Sequence, residues 1–270
     1  MEFPNPLPQN QDWPPYSGLD APVLPENPVW NLVDVLLLAC FGVVAQFLIG
    51  GLAIGIAHSM PRFHGVSPRD LATNALILVP AQIVAYLLLI AFMMAIVKMK
   101  YGAGFFRALN WNMPGFGSTI AAVAAGFGCA FLSQIIYVVL SRWIPKSVPM
   151  DELFRDRSSS LMLAFFGVFV APLVEELFFR GFLYPALARV MGTVASVMLT
   201  ALAFALIHSP QLAHAWVPLT AILLFSFILT IVRAKTKSVA TTVLMHAGYN
   251  ATLFTLTFIA TQGFRHLERA

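Results

Sequence analysis

The residues able to do chemistry in this chain are Glu175, Glu176, Arg180, His208, His246 and Asn250, and apolar sequence surrounds all of them. An ionisable side chain in such a setting costs roughly 2.5–3.5 kcal/mol on membrane-insertion scales, so each needs a reason to be there. Glu176 and Arg180 are spaced i,i+4 and can pair on one helix face. Glu175 is rotated by about 100° from Glu176 and has no such local partner. One carboxylate is therefore neutralised and held, while its neighbour is free for another task. Pro172, one turn before Glu175, predicts a kink that releases the carbonyl of Val168 and opens room for water. The plainer alternative ends the span at Val174 and leaves the charges among lipid headgroups. Against it, the residues after Arg180, from Gly181 to Ala188, are apolar again.

The remaining polar residues fall into two further groups. Phe204 and His208 form an F-x-x-x-H segment whose histidine precedes Ser209-Pro210, where a helix must stop. His214 lies beyond that break and reads as interfacial. His246 and Asn250 are i,i+4 inside another apolar run, so they share a face. Helix–helix hydrogen bonding would use the same pair, and Gly248 between them suits close helix packing. A carboxylate, two histidines and an asparagine drawn from three spans nonetheless make the inventory of a hydrolytic site. Glutamate supplies a base, histidine shares or shuttles the proton, and His with Asn can donate to a developing oxyanion. Glu175, His208 and His246 would also suffice as ligands for a divalent metal such as zinc, with one position left for water. No H-E-x-x-H is present, however, and a ligating Glu175 would leave only the Arg180-paired Glu176 as base. The balance favours chemistry without a required cofactor, with the metal set as the alternative.

The elements that must position these residues follow from composition. Of 270 residues, 59% are hydrophobic and 10% charged, against about 25% charged in soluble domains. The solvent for most of the chain is lipid. A helix needs about 20 apolar residues to cross the hydrocarbon core, and uncharged runs of that order occur at 35–57, 71–97, 118–140 and 238–264. A fifth runs from about 161 to 188 through the charged motif. The stretch between Arg189 and Arg233 is too long for one span and divides at His208–His214. The expected fold is all-α, a polytopic transmembrane helical bundle of seven to eight spans, without internal repeats. Residues 31–265 form one membrane domain, preceded by a Pro-rich tail over 1–30. Residues 1–61 lack Lys and Arg, so no signal peptide is expected, and the tail reads as extended chain at the membrane surface. The net charge of +4 is spread over many loops, which gives no footprint for nucleic acid. Cys40 and Cys129 form no metal or disulfide pattern and read as packing residues.

The ordered set Glu175-Glu176-x-x-x-Arg180, Phe204-x-x-x-His208 and His246-x-x-x-Asn250 resembles the motifs of the CAAX prenyl protease and bacteriocin-processing (CPBP, or Abi) family of intramembrane proteases. The resemblance covers about residues 161–260, which would be the catalytic core. It implies an intramembrane endopeptidase that hydrolyses peptide bonds of membrane-associated substrates. By that resemblance Glu175 activates water together with His208, His246 and Asn250 stabilise the oxyanion, and Glu176, Arg180 and Phe204 support them. The family is described both as metal-dependent and as a glutamate peptidase class without metal, so the ligand set Glu175, His208 and His246 stays open. The implied partners are a membrane-anchored peptide or membrane-protein substrate and the lipid bilayer. The implied location is an integral multi-pass position, in the cell membrane if the source is bacterial. The competing readings are a non-catalytic membrane scaffold or bacteriocin-immunity-type protein, which has no need of all four polar residues, and a proton-coupled transporter. The lack of inverted repeats counts against the last.

Overall fold

The computed structural model describes residues 28–267, so nearly all of the expected 1–30 tail lies outside the described residues. Six helices are long and apolar enough to cross a membrane: α1 Leu32–Ser59, α2 Ala75–Lys100, α3 Phe116–Val139, α4 Arg157–Ile207, α5 Trp216–Thr236 and α6 Val239–Ala260. The described residues include no strand. Side chains at the helix starts satisfy the free N–H groups there. Asn31 and Asp34 form a capping box on α1, Asn74 caps α2, Asp156 caps α4 and Ser238 caps α6.

The 51-residue α4 would be ~77 Å long if straight, far beyond a hydrocarbon core of ~30 Å. It turns at Gly192, whose φ of 79° and ψ of 172° lie in a region open essentially to glycine alone. The two arms, 157–191 and 193–207, bring the helical segments to seven, of which six are long enough to cross, close to the seven to eight expected. The break at His208–Ala215 falls where the Ser209-Pro210 pair placed it.

Tertiary bonds sort the connections to two ends of the bundle. Arg189 donates to the carbonyl of Pro28, Asn112 to that of Lys237, and the Val239 N–H to that of Asn110. At the other end Arg155 bonds Thr73, and Trp143 lies edge-on to Trp216 at 5.7 Å. The long outward faces are apolar: Leu36, Val44, Phe47 and Leu48 of α1 are all more than half exposed, as lipid-facing positions should be. Cys40 is among these exposed positions and so does not pack the interior as expected. Cys129 is half-buried.

Helix α6 packs against α3, α4 and α5 and is the centre of the bundle. Its approach to α3 is close because small residues meet there. Ala122, Gly126 and Ala130 of α3 are buried at four-residue spacing. A Cβ added to Gly126 would lie 2.0 Å from the Met245 carbonyl oxygen, and one on Gly248 would lie 2.7 Å from that of Val123. The backbones touch because neither residue has a side chain.

Candidate active site

The site helix α4 does not follow an α pattern throughout. It widens into π turns at Phe166–Val170 and Leu177–Leu183, with the short α segment Ala171–Glu176 between them. Such turns are rare and gather at functional sites. Pro172, where the sequence predicts a kink, follows directly on the first of these π turns. The Ala171 N–H reaches back five residues to the Phe166 carbonyl, and the helix continues. The Gly167 carbonyl, which residue 172 would serve in that register were it not proline, accepts instead from Asn250 Nδ2 of α6 at 2.6 Å.

Glu175, Glu176, Arg180 and His246 come together as a line of polar groups. Arg180 Nη1 donates to Glu176 Oε1 at 2.8 Å, and both side chains are fully buried. The same oxygen lies 2.9 Å from His246 Nδ1. A carboxylate paired with arginine can only accept, so Nδ1 donates and carries hydrogen. With Nδ1 held there, His246 Nε2 is turned towards Glu175, whose Oε2 is 3.9 Å away. Glu176 thus orients the ring and Glu175 faces its working nitrogen. Thr242 also approaches Glu176, but its hydroxyl donates to the Val239 carbonyl, and Glu176 Oε2 has no hydrogen-bond partner among the described residues.

Arg180 is held on all sides. Nη2 donates to the carbonyl and hydroxyl of Ser226 at 2.9 and 2.6 Å, and Nε lies 3.3 Å from Thr230 Oγ1. The guanidinium also sits 4.7 Å above the ring of Phe204. Phe204 is the hub of the F-x-x-x-H segment, because its ring packs 4.8 Å from that of His208 and 5.7 Å from that of His246. His208 Nδ1 bonds the Phe204 carbonyl at 2.8 Å. A carbonyl only accepts, so Nδ1 carries hydrogen and the unprotonated Nε2 points away from its own helix.

Several contributors were not singled out in the sequence. The Tyr86 hydroxyl of α2 interacts with Glu175 and Gln82, and its ring stacks on Phe166 at 5.7 Å. Phe225 of α5 lies 5.4 Å from the His246 ring. Ser226, Thr230 and Arg233, all fully buried, line one face of α5. Their spacing is a legible signal of a polar face in an apolar span. Tyr86 had no such signal, because one tyrosine in an apolar run is ordinary.

As for a metal, no group of three or more His, Cys, Asp and Glu side chains among the described residues is arranged to hold one. In the set Glu175, His208 and His246, His246 Nε2 and Glu175 Oε2 face each other at 3.9 Å with Nδ1 held by Glu176, as a ligating pair would be oriented, while His208 bonds the Phe204 carbonyl of its own helix and does not close a three-ligand group with them.

The family model for Type II CAAX prenyl endopeptidase Rce1-like proteins matches residues 157–252. Over those residues the chain is similar to an Rce1-like domain. The match starts with the first turn of α4 and ends in α6, and so encloses every group in the line from Glu175 to Asn250. No curated protein and no solved structure matches the chain at a significant level. The Rce1-like domain brings with it the coarse activity and setting: a protease family, an integral multi-pass position, and membrane-associated substrates.

Proposed function

We propose that the chain is an intramembrane endopeptidase in which Glu175 is the base that activates water. The observation that carries this reading is the two-sided use of His246, with Nδ1 fixed by the Glu176–Arg180 pair and Nε2 turned to Glu175 at 3.9 Å. Glu175, Glu176, Arg180 and His246 form a neutral set when one proton is shared between Glu175 and His246. With that proton on Nε2, Glu175 is a carboxylate able to take a proton from water, and His246 is a donor able to meet the oxyanion.

The reaction then runs as follows. Water oxygen bonds to the scissile carbonyl carbon while its proton passes to Glu175, and the carbonyl electrons move to oxygen beside His246 Nε2–H. The C–N bond breaks as Glu175 returns the proton to the leaving nitrogen. His208, with its lone pair on Nε2, accepts the second water hydrogen as a hydrogen bond. Asn250 has one amide hydrogen on Gly167 and keeps the other for the oxyanion. Glu176, Arg180 and Phe204 position these groups.

The substrate must present extended backbone, because helix carbonyls in a bilayer are already bonded within the helix. A lipid-anchored peptide or the juxtamembrane part of a membrane protein meets that requirement, and the CAAX name of the matched family makes a prenylated peptide a sensible first probe. The test is cleavage, in proteoliposomes, of a farnesylated C-a-a-X peptide and of an unprenylated transmembrane peptide, alongside a membrane-proteome comparison of wild type and Glu175→Ala. Wild type should cleave at least one class and Glu175→Ala neither. Cleavage at the wild-type rate by purified Glu175→Ala protein would refute the assignment.

A further inference from the structure

The two π turns of α4 end in the same way, and both endings leave a carbonyl that another helix serves. At the first, the Ala171 N–H donates five residues back to Phe166. The next donor in that register would be residue 172, aimed at the Gly167 carbonyl, but residue 172 is proline and has no N–H. Asn250 Nδ2 donates there instead. At the second, the Tyr184 N–H donates five residues back to Phe179. The next donor would be residue 185, aimed at the Arg180 carbonyl, and residue 185 is again proline. Tyr184 cannot serve Arg180 in α register because its N–H is on Phe179. The donor at the Arg180 carbonyl is Arg233 Nε, from α5, at 3.1 Å. Arg233 is fully buried, with its guanidinium 5.7 Å from the Tyr184 ring.

We propose that Arg233 is a positioning residue that replaces the missing N–H of Pro185, and so holds α4 in the π register on which the Glu175–Glu176–Arg180 geometry depends. A buried carbonyl without a donor is costly in hydrocarbon. Neither proline alone would keep its turn open, since the strand of helix could relax to satisfy that oxygen. One residue gained or lost from a turn rotates everything beyond it by about 100° relative to an α-helix. Arg180 would then leave the pocket made by Ser226 and Thr230. Asn250 does the same work at Pro172, so two different helices, α5 and α6, each lock one end of the segment that carries both glutamates. The catalytic consequence rests on the peptidase reading, but the register itself is testable without it.

The experiment is a cycle of Arg233→Leu, Pro185→Ala and the double variant, read by carbonyl NMR and thermal unfolding of the full chain in detergent. Arg180-Gly181 is the one Arg-Gly pair in the sequence, so ¹³C-carbonyl arginine with ¹⁵N-glycine gives one assigned signal for the Arg180 carbonyl. Arg233→Leu should shift that signal upfield as the bond is lost, and should lower Tm. Pro185→Ala supplies the absent N–H, so in the double variant the signal should return towards its wild-type position and the loss of Tm should be much smaller. Arg233→Gln, which keeps a neutral donor, should recover most of both. On the farnesylated probe, Arg233→Leu should lower kcat with KM little changed. If Arg233→Leu does not fold alone, recovery of folding by Pro185→Ala supports the proposal. An unchanged Arg180 signal in Arg233→Leu, or equal losses of Tm with and without Pro185→Ala, would overturn it. Those outcomes are independent of cleavage, so they are distinct from failure of the peptidase reading.

Discussion

Replacing Gly126 by alanine should cripple the site without touching any polar group in it. The added Cβ would stand 2.0 Å from the Met245 carbonyl oxygen and 2.8 Å from the Tyr249 nitrogen. A carbon–oxygen contact settles at about 3.3 Å, so α6 must retreat from α3 by on the order of 1.3 Å. Met245 and Tyr249 are the neighbours in sequence of His246 and Asn250, and their backbone cannot move without carrying those side chains along. A displacement of that size is enough to open the 2.9 Å contact between His246 and Glu176. Overpacking of this kind costs about 1–3 kcal/mol, and a misplacement of about 1 Å can cost on the order of 100-fold in rate. Gly128→Ala is the control, because it lies on the same helix with nothing within 4 Å of its added Cβ. Cleavage of the farnesylated probe and thermal unfolding in detergent should show Gly126→Ala slow and less stable, with Gly128→Ala like wild type. Wild-type rate and Tm in Gly126→Ala would refute the claim that this crossing sets the position of His246.

Three further outcomes are expected. Glu175→Gln and His246→Ala should each abolish cleavage of whichever probe wild type accepts, and the double variant should be little worse than either, since members of one catalytic unit are not additive; additive losses would separate the two. Arg180→Ala leaves a buried carboxylate unpaired and should cost about 3–5 kcal/mol, seen as poor yield and a low Tm, while Arg180→Lys should recover only part because a point charge cannot serve Glu176, Ser226 and Thr230 together. At the start of α4, the Ser159 backbone N–H, then the Ser159 hydroxyl, hold the Asp156 carboxyl below its usual range, and Ser158 N–H adds to this. Its contribution is therefore complete above an unfolded pKa of about 3.9 and fades as pH falls through the lowered folded value. Asp156→Ala should cost about 1 kcal/mol at neutral pH and flatten the acid side of a stability–pH profile, and an unchanged profile would argue against the cap.

The groups that reach the site through local spacing were legible in the sequence. Glu176 with Arg180 is an i,i+4 pair, and the proline after His208 fixes the end of a helix arm. The number of spans followed from the length of apolar runs and one Ser-Pro break. What could not be read was anything set by register across helices. Pro172 announced a released carbonyl at Val168, but a π turn also leaves the Gly167 carbonyl to Asn250. Periodicity arguments assume 3.6 residues per turn and cannot anticipate such a shift. The partner of Glu175 was equally hidden, because the Nε2 that faces it belongs to a helix some seventy residues away. The spacing of Ala122, Gly126 and Ala130 is present in the sequence, yet only the contact of Gly126 with the Met245 and Tyr249 backbone gives it a consequence for the site.

The two arms of α4 also bring non-α backbone to the depth of the polar line. The arm 193–207 is only ~22 Å long at about 1.5 Å per residue, short of a hydrocarbon core of ~30 Å. Its tip is His208, so the connection His208–Ala215, with one 3-10 turn at Pro210–Leu212, starts inside the apolar layer. Irregular backbone at that depth is tolerated only against protein or a wet cavity. Here the Pro149–Leu153 turn packs over Pro210–Leu212, and Ser209 bonds His214 within the loop at 2.6 Å. The short arm therefore does two things with one feature. It brings Phe204 against Arg180 and His246, with His208 on the Phe204 ring, and it sets the Pro210–Leu212 turn against the Pro149–Leu153 turn.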